Sequence, residues 1–157
     1  MGILSTEIEK VVLCSGEREV ISEEDLSVSV PGGVGVVFGL LDALGDGDRT
    51  EALAALRSLM DADNPPEYLV HMMAWHYRQL LRGKELVHSG LTPFEAASRL
   101  GKRFQGLKEK FARHMGRATE GGLERALESL SRCDRQLKTG RIPERTLLDR
   151  LVLDLLV

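Results

Sequence analysis

Apolar side chains recur three and four residues apart along most of the chain, which is the spacing of one face of an α-helix. This pattern predicts six longer helices, at about 36–44, 48–60, 68–88, 104–115, 123–137 and 143–157. A short helix from Thr92 to Leu100 and two short helices before Pro31 complete the pattern. The predicted fold class is therefore all-α, with a domain of about six helices preceded by two short ones.

Capping signatures mark where several of these helices begin. Ser22-Glu-Glu-Asp25, Asp48-Arg-Thr-Glu51 and Thr92-Pro-Phe-Glu95 fit capping boxes. Asn64 is predicted to cap the 68–88 helix, with Pro65 in its first turn. Gly140 is placed to end the helix before it.

The segment at residues 31–35 is the best internal boundary. Pro31 lacks an amide hydrogen, and the glycines that follow it loosen the backbone. Alternating valines on either side, Ser27–Val30 and Val34–Val37, are the only strand candidate, and their helical neighbours argue against a sheet.

The composition favours helices, and it argues against a membrane-spanning protein and against a disulfide-rich secreted one. The chain has 157 residues, of which 43% are hydrophobic, and it contains 26 leucines against 4 isoleucines. No run of apolar residues is long enough to span a membrane. Cys14 and Cys133 do not form a disulfide framework, and no secretory signal is visible, so a reduced cytoplasmic protein is expected.

Charge is distributed unevenly along the chain. The net charge of −3 is made up of 4 basic and 14 acidic side chains in residues 1–67, and 17 basic and 10 acidic ones in residues 68–157. The segment 99–117 is especially basic, with Lys108 and Arg113 among its seven cations and Glu109 as its one acid. It could track a phosphate backbone, or it could be a solvated face. Phe104 and Phe111 lie within it at helical spacing, which favours the core over base stacking.

No catalytic or cofactor-binding motif emerges. Neither Gly-Lys pair is followed by the hydroxyl of a phosphate-binding loop, and no dinucleotide fingerprint is complete. His71 and His76 lie five residues apart, so they cannot share one helix face as a zinc pair would. No catalytic residue, metal ligand or cofactor is therefore predicted.

Asp134 is the most informative polar residue. It falls on the stripe of leucines that the 123–137 helix is expected to bury, so its carboxylate needs a partner. Lys138 lies one helical turn later, and an arginine from another helix is the alternative. A satisfied ion pair and a subunit contact both remain open.

The last helix is apolar around much of its circumference. Its leucines, Leu148, Leu151 and Leu155 among them, are expected either to be deeply buried or to form an oligomer interface.

Five phrases, in this order and spacing, resemble the C-terminal part of the delta subunit of the bacterial DNA polymerase III clamp loader. They are Glu7–Leu13 with Val20–Leu26, Val37–Leu44, Ala52–Leu59, Trp75–Leu86 and Asp134–Gly140. The resemblance covers nearly the whole chain.

The resemblance implies a non-catalytic subunit of a complex that is a DNA-directed DNA polymerase. Residues 1–31 would end the lid domain, and 34–157 would form the helical collar that joins the other loader subunits in a pentamer. An N-terminal domain, absent from this chain, would grip the sliding clamp. Asp134, Lys138 and the last-helix leucines would then lie at subunit contacts, and Lys138 and Arg141 would lie near primer-template DNA. The alternative is a free-standing nucleic-acid-binding domain that uses residues 99–117.

Overall fold

A computed structural model describes residues 34–156, and all regular structure in this part of the chain is helical. The helices are α1 (Val34–Asp46), α2 (Arg49–Asp61), α3 (Pro66–His88), α4 (Pro93–Arg99), α5 (Gln105–Arg117), α6 (Glu120–Thr139) and α7 (Glu144–Leu155). The predicted all-α fold is confirmed. The predicted lid-domain helices, the Ser22 capping box and the Ser27–Val30 half of the strand candidate lie outside the described residues, and its other half, Val34–Val37, belongs to α1.

The long helix α3 is the centre of the domain. It packs against α1, α4, α5 and α6, while α7 joins α6 to α2 and α2 packs along α1. The core is therefore continuous and rich in leucine, and its most deeply buried side chains include Leu40, Leu56, Leu69, Met73, Leu80, Leu123, Leu130 and Leu148. Tyr77 ties the C-terminal end of the chain to α3, because its hydroxyl donates to the Leu155 carbonyl at 3.4 Å.

Of the two capping boxes predicted in this part of the chain, the one at Thr92 forms completely, whereas at Asp48 only the N-cap half forms and the Asp48 amide donates to the Ala43 carbonyl at 2.9 Å. Asp48 accepts a hydrogen bond from the Glu51 amide at 3.0 Å. Thr92 and Glu95 form a complete capping box, in which each side chain accepts from the other's backbone amide. Gly140 ends α6 in the left-handed conformation, with φ of 64°. These local signals fix the helix boundaries near the positions that the sequence predicts.

The prediction that Asn64 caps the next helix is wrong. Pro65 occupies the N-cap position of α3 and its side chain makes no capping hydrogen bond. Asn64 is buried, and its Nδ2 donates to the Leu59 carbonyl at 2.8 Å, near the end of α2. The asparagine therefore satisfies a carbonyl of the preceding helix rather than an amide of the following one.

Two glycines on neighbouring helices lie against side chains of α5. A Cβ atom on Gly45 of α1 would lie 2.3 Å from the ring of His114, and one on Gly83 of α3 would lie 2.3 Å from the sulfur of Met115. Only a hydrogen atom fits at either position, so these glycines determine how deeply α5 settles on the domain.

Candidate interaction surfaces

Acidic residues of the front half are paired with basic residues of the back half. Lys110 Nζ lies 2.6 Å from Asp42 Oδ2. Arg113 donates to Asp46 Oδ1 through Nε at 3.0 Å and through one terminal nitrogen at 2.8 Å. A third pair, between Arg145 and Asp61, joins α7 to α2. Some of the acidic charges of the first half and the basic charges of the second half are therefore paired with each other within the domain.

A buried histidine lies at the junction of α1 and α5. The side chain of His114 is only 2% exposed, and its Nε2 lies 3.0 Å from Asp46 Oδ1. Burial lowers the pKa of His114 despite the nearby Asp46. Burial alone would raise the pKa of Asp46, but Arg113 and His114 outweigh it and hold that pKa below its ordinary value. A neutral His114 donating to a charged Asp46 is the state that fits these shifts.

The junction extends to α3 through a second buried histidine. The rings of His76 and His114 meet edge to face, with centroids 5.9 Å apart. Burial lowers the pKa of His76 to about 3, with the neighbouring His114 and Lys102 acting in the same direction. This histidine is therefore an uncharged core residue at neutral pH. His71, by contrast, is exposed on α3, and residues 34–156 contain no group of three metal-ligating side chains.

The prediction for the two phenylalanines of the basic segment is right for one and wrong for the other. Phe111 is buried between α5 and the rest of the core. Phe104 is 68% exposed, because it precedes the first turn of α5 and its backbone is extended there. Helical spacing cannot reveal this difference, since Phe104 stands just outside the helix that defines the buried face.

Lys102, two residues before Phe104, is turned inward. Its ammonium group lies 5.0 Å from the centroid of the Trp75 ring and 5.2 Å from that of the Phe111 ring. Such cation–π contacts fix the lysine against α3 and α5. The loop between α4 and α5 is therefore attached to the core at this point.

The four predicted nucleic-acid residues occupy two separate regions. Lys108 and Arg113 lie on α5, which packs on α1, α3 and α4, whereas Lys138 and Arg141 lie at the end of α6 and in the turn before α7. The guanidinium of Arg113 is engaged by Asp46. Arg141 is exposed.

Asp134 forms the local ion pair that its spacing predicts. Lys138 Nζ lies 2.9 Å from Asp134 Oδ2, and the Asp134 side chain is 24% exposed. The stripe that α6 buries passes through Cys133 rather than Asp134. The prediction that Asp134 lies on this stripe is therefore wrong by one position, and the carboxylate sits at its edge.

The leucines of the last helix lie in the core of the domain itself. Leu148, Leu151 and Leu155 are all buried against the chain's other helices. The first of the two alternatives for this helix therefore holds. Its apolar circumference is explained by contacts with α6 on one side and α2 on the other.

Two residues that organise this region are not singled out by sequence reasoning. His114 follows Phe111 by three residues and precedes Met115, so helical spacing places it beside a buried face. Gly45 comes directly after the predicted 36–44 helix, where a glycine indicates the end of a helix, but α1 continues through it to Asp46. Neither signal by itself indicates that the two residues meet.

Comparison with known proteins identifies the chain. Residues 35–155 match the family model described as "DNA polymerase III delta subunit, C-terminal domain". The DNA polymerase III subunit delta of Bacillus subtilis (strain 168) is 26% identical over 152 residues, which cover 96% of this chain and 43% of that protein. The solved structure of the Bacillus subtilis DNA clamp loader delta protein matches with a TM-score of 0.62 and 26% identity, over 96% of this chain and 44% of the other.

The family match runs across all the helices from α1 to α7, in their order along the chain. The helical domain therefore places the chain in a class of proteins, the subunits of DNA polymerase III. More particularly, the chain belongs to the delta-subunit family through that subunit's C-terminal domain. It spans less than half the length of the relatives that it matches. Among the described residues no helix is long and apolar enough to cross a membrane.

Proposed function

We propose that this chain acts as the collar domain of a clamp-loader delta subunit, a non-catalytic module that assembles with the other loader subunits. One observation carries the proposal. The stretch that matches the C-terminal domain of the family, residues 35–155, coincides with the helical domain built around α3. A fold match to a clamp loader delta protein over 96% of the chain supports it.

The proposal includes a division of the chain and a set of partners. Residues 34–157 form the collar, and residues 1–31 belong to the end of the preceding lid domain. The partners are the other clamp-loader subunits in a pentameric collar and, in the assembled complex, primer-template DNA. The sliding clamp is contacted by the N-terminal part of the delta subunit. The complex works in the cytoplasm, where it loads the clamp during replication.

We assign Asp134 and Lys138 to a contact with a neighbouring subunit. The pair lies at the edge of the buried stripe of α6, where one side chain is mostly covered and the other is exposed. An exposed ion pair contributes little to the stability of the domain itself, typically below about 1 kcal/mol. A partly covered carboxylate beside an apolar stripe is suited to fixing the position of a second subunit.

Replacing Asp134 by leucine tests this assignment. We expect Asp134→Leu to leave the domain folded, because Lys138 is exposed and its ion pair with Asp134 contributes little to stability, and to lower the yield of reconstituted clamp loader. Circular dichroism measures folding, and size-exclusion chromatography of the reconstituted complex measures assembly. Glu128→Leu is the matched control, since Glu128 is an exposed acid on the same helix. An unchanged yield for Asp134→Leu would exclude the contact.

Lys138 and Arg141 are also proposed to lie near the DNA in the assembled loader. Both belong to the exposed end of α6 and the turn after it. Reversing both charges should weaken DNA binding by the full loader more at low salt than at high salt, because phosphate contacts release counterions. If the charge-reversed loader bound DNA as tightly as the unaltered loader at every salt concentration, this placement would be contradicted.

The free-standing nucleic-acid-binding alternative loses part of its support. Of the cations in residues 99–117 on which it depends, Lys110 and Arg113 are paired with α1 and Lys102 is turned toward Trp75. Helix α5 therefore presents fewer open charges than its sequence suggests.

A further inference from the structure

We propose that His76 and His114 form a proton-sensitive joint, which lets α4 and α5 open from the rest of the domain as the pH falls while the other helices stay folded. We call residues 93–117, which carry these two helices and the loop between them, the α4–α5 unit. The joint is a conformational device within the domain, and it does not depend on the assembly role proposed above.

The α4–α5 unit lies at the edge of the deep core. Helix α5 packs on α1, α3 and α4, and α4 packs on α3 and α5. The largest fully buried side chains of the described residues all belong to α1, α2, α3, α6 and α7, and none belongs to the α4–α5 unit. Elements with few deeply buried contacts open at a lower free energy than the rest of a protein. Opening of this unit therefore leaves the leucine core of the other five helices in place.

Helix α5 is also weak as a helix on its own. Its N-cap residue, Phe104, supplies no capping hydrogen bond, and Gly106 and Gly116 lie within the helix. No atom of residues 34–156 lies within 4 Å of the position that a Cβ would take at either glycine, so packing does not require glycine there. Glycine lowers helix propensity, and an isolated helix of 13 residues is marginal in water. An opened α5 therefore loses its helical hydrogen bonds.

Two buried histidines lie in the contact that holds this helix to the domain. His114 of α5 is 2% exposed, and His76 of α3 is 8% exposed. Their rings meet edge to face, and the His114 ring also lies against Gly45 of α1. Separation of α5 from α3 and α1 therefore brings both imidazoles into water.

His114 faces carboxylates as well as cations. Asp46 of α1 lies 3.0 Å from its Nε2 and also accepts from Arg113 of α5. Asp42 of α1 is nearby and is paired with Lys110 of α5. Burial outweighs the two carboxylates and lowers the pKa of His114. The closed state therefore resists a proton on this ring, although Asp46 reduces the resistance.

His76 lacks a carboxylate partner within residues 34–156. Its Nε2 has no hydrogen-bond partner among these residues, and the neighbouring Tyr77 ring packs against it edge to face. The charges that act on it, from His114 of α5 and Lys102 of the α4–α5 loop, are both positive. Both charged side chains of α4 are exposed. Burial, followed by His114 and Lys102, lowers the pKa of His76 to about 3.

The two histidines therefore make the closed state sensitive to pH. An imidazole in water binds a proton near pH 6.5, whereas His76 in the closed state binds one only near pH 3. Closure is fully favoured above pH 6.5 and weakens as the pH falls below it, because the opened unit takes up protons that the closed unit excludes. From His76 alone, the population of the opened state should rise about 25-fold between pH 7 and pH 5. Protonation of His114 adds to this rise.

Amide hydrogen exchange of the 157-residue chain tests the inference. Rates are measured at pH 7, 6 and 5, corrected for the intrinsic exchange rate at each pH, and measured again at low concentrations of urea. We expect the amides of α5 to exchange faster than those of α6 at each pH and to depend less on urea, because only part of the domain opens. The corrected exchange of α5 should increase about 25-fold or more from pH 7 to pH 5.

Substitutions at His76 separate the effect of the proton from the effect of packing. His76→Leu and His76→Gln both remove the titrating group, so each should make the increase with falling pH smaller by roughly tenfold or more. His71→Leu is the matched control, because His71 is exposed on the same helix, and it should keep the full increase. Gly116→Ala should slow the exchange of α5 about two- to fivefold at every pH, because it strengthens the helix without touching the histidines.

Two results would overturn the inference. If the amides of α5 and α6 exchange at the same rate and with the same urea dependence, the domain opens only as a whole. This measurement uses the unaltered chain, so it stands even where a variant does not fold. If the increase with falling pH is as large in the His76 variants as in the unaltered chain, the joint is not where the protons bind.

Discussion

Two glycines of α1 should respond in opposite directions to the same substitution. Gly39 has no atom of residues 34–156 within 4 Å of the position that a Cβ would take, whereas a Cβ on Gly45 would lie 2.3 to 2.5 Å from three atoms of the His114 ring. Ordinary contacts of this kind begin at 3.4 Å. Alanine at position 39 therefore gains helix propensity without a clash, and alanine at position 45 meets a ring that has no room to move.

The surroundings of each glycine determine how much its substitution should change the free energy of unfolding. Gly39→Ala should stabilise the domain by about 0.5–1 kcal/mol, because alanine loses less backbone entropy in a helix. Gly45→Ala should destabilise it by about 2 kcal/mol, since overpacking a closed site typically costs about 1–3 kcal/mol and displacing His114 also weakens its hydrogen bond to Asp46. For a domain of this size the latter corresponds to a fall in melting temperature of roughly 5–10 °C.

Thermal and urea unfolding of the two variants measure this difference. A double variant, Gly45→Ala with His114→Ala, identifies the cause, because removing the ring should abolish the penalty at position 45. If Gly45→Ala stabilises the protein as much as Gly39→Ala does, α5 does not pack against α1 as described. If the penalty persists without the ring, the clash with His114 is not its source.

Two further predictions concern buried titratable groups. The unfolded chain protonates His76 near pH 6.5, but the folded protein does so only near pH 3, so the free energy of unfolding should fall by about 2 kcal/mol between pH 7 and pH 5 on account of this residue. Urea titrations should show a smaller fall for His76→Leu, and equal falls would contradict the burial of a neutral imidazole. Burial, followed by the charge of Asp134, raises the pKa of the Cys133 thiol to about 11. In a Cys14→Ser background, a thiol reagent at pH 8 should therefore react with Cys133 at the rate of unfolding, and rapid reaction in the native state would be inconsistent with its position in the core.

Helices and most of their ends could be predicted because they depend on local chemistry. The capping box at Thr92, the cap at Asp48 and the glycine end at Gly140 each involve residues within one turn of one another. The prediction for Asn64 was wrong because an asparagine side chain can form a hydrogen bond with the helix before it as well as with the helix after it. Asn64 forms its hydrogen bond with the preceding helix because its amide is buried against α2.

Features that depend on contacts distant in sequence could not be predicted in the same way. Asp46 and His114 are 68 residues apart, and nothing in the spacing of either indicates that they pair. The same holds for Asp42 with Lys110. The acidic first half and the basic second half are visible in the sequence, but only the fold shows that several of these charges pair with one another within one domain.

The candidate surfaces also include features that could be predicted from the sequence and features that could not. The Asp134–Lys138 pair follows from a spacing of four residues on one helix and could be predicted. The exposure of Phe104 could not, because it depends on where α5 begins relative to the loop that precedes it. The leucines of α7 were ambiguous from sequence alone, since an apolar helix face does not show whether its partner belongs to the same chain.

Incorporation of this chain into a clamp loader tests the central claim most directly. The 157-residue chain would be mixed with the clamp-loader ATPase subunits of the same organism and analysed by native mass spectrometry, with the full-length delta subunit as the positive control. A collar domain should appear in a complex with those subunits and should compete with the full-length subunit for its place. A chain that remains alone, while the full-length subunit assembles under the same conditions, would contradict the proposed role.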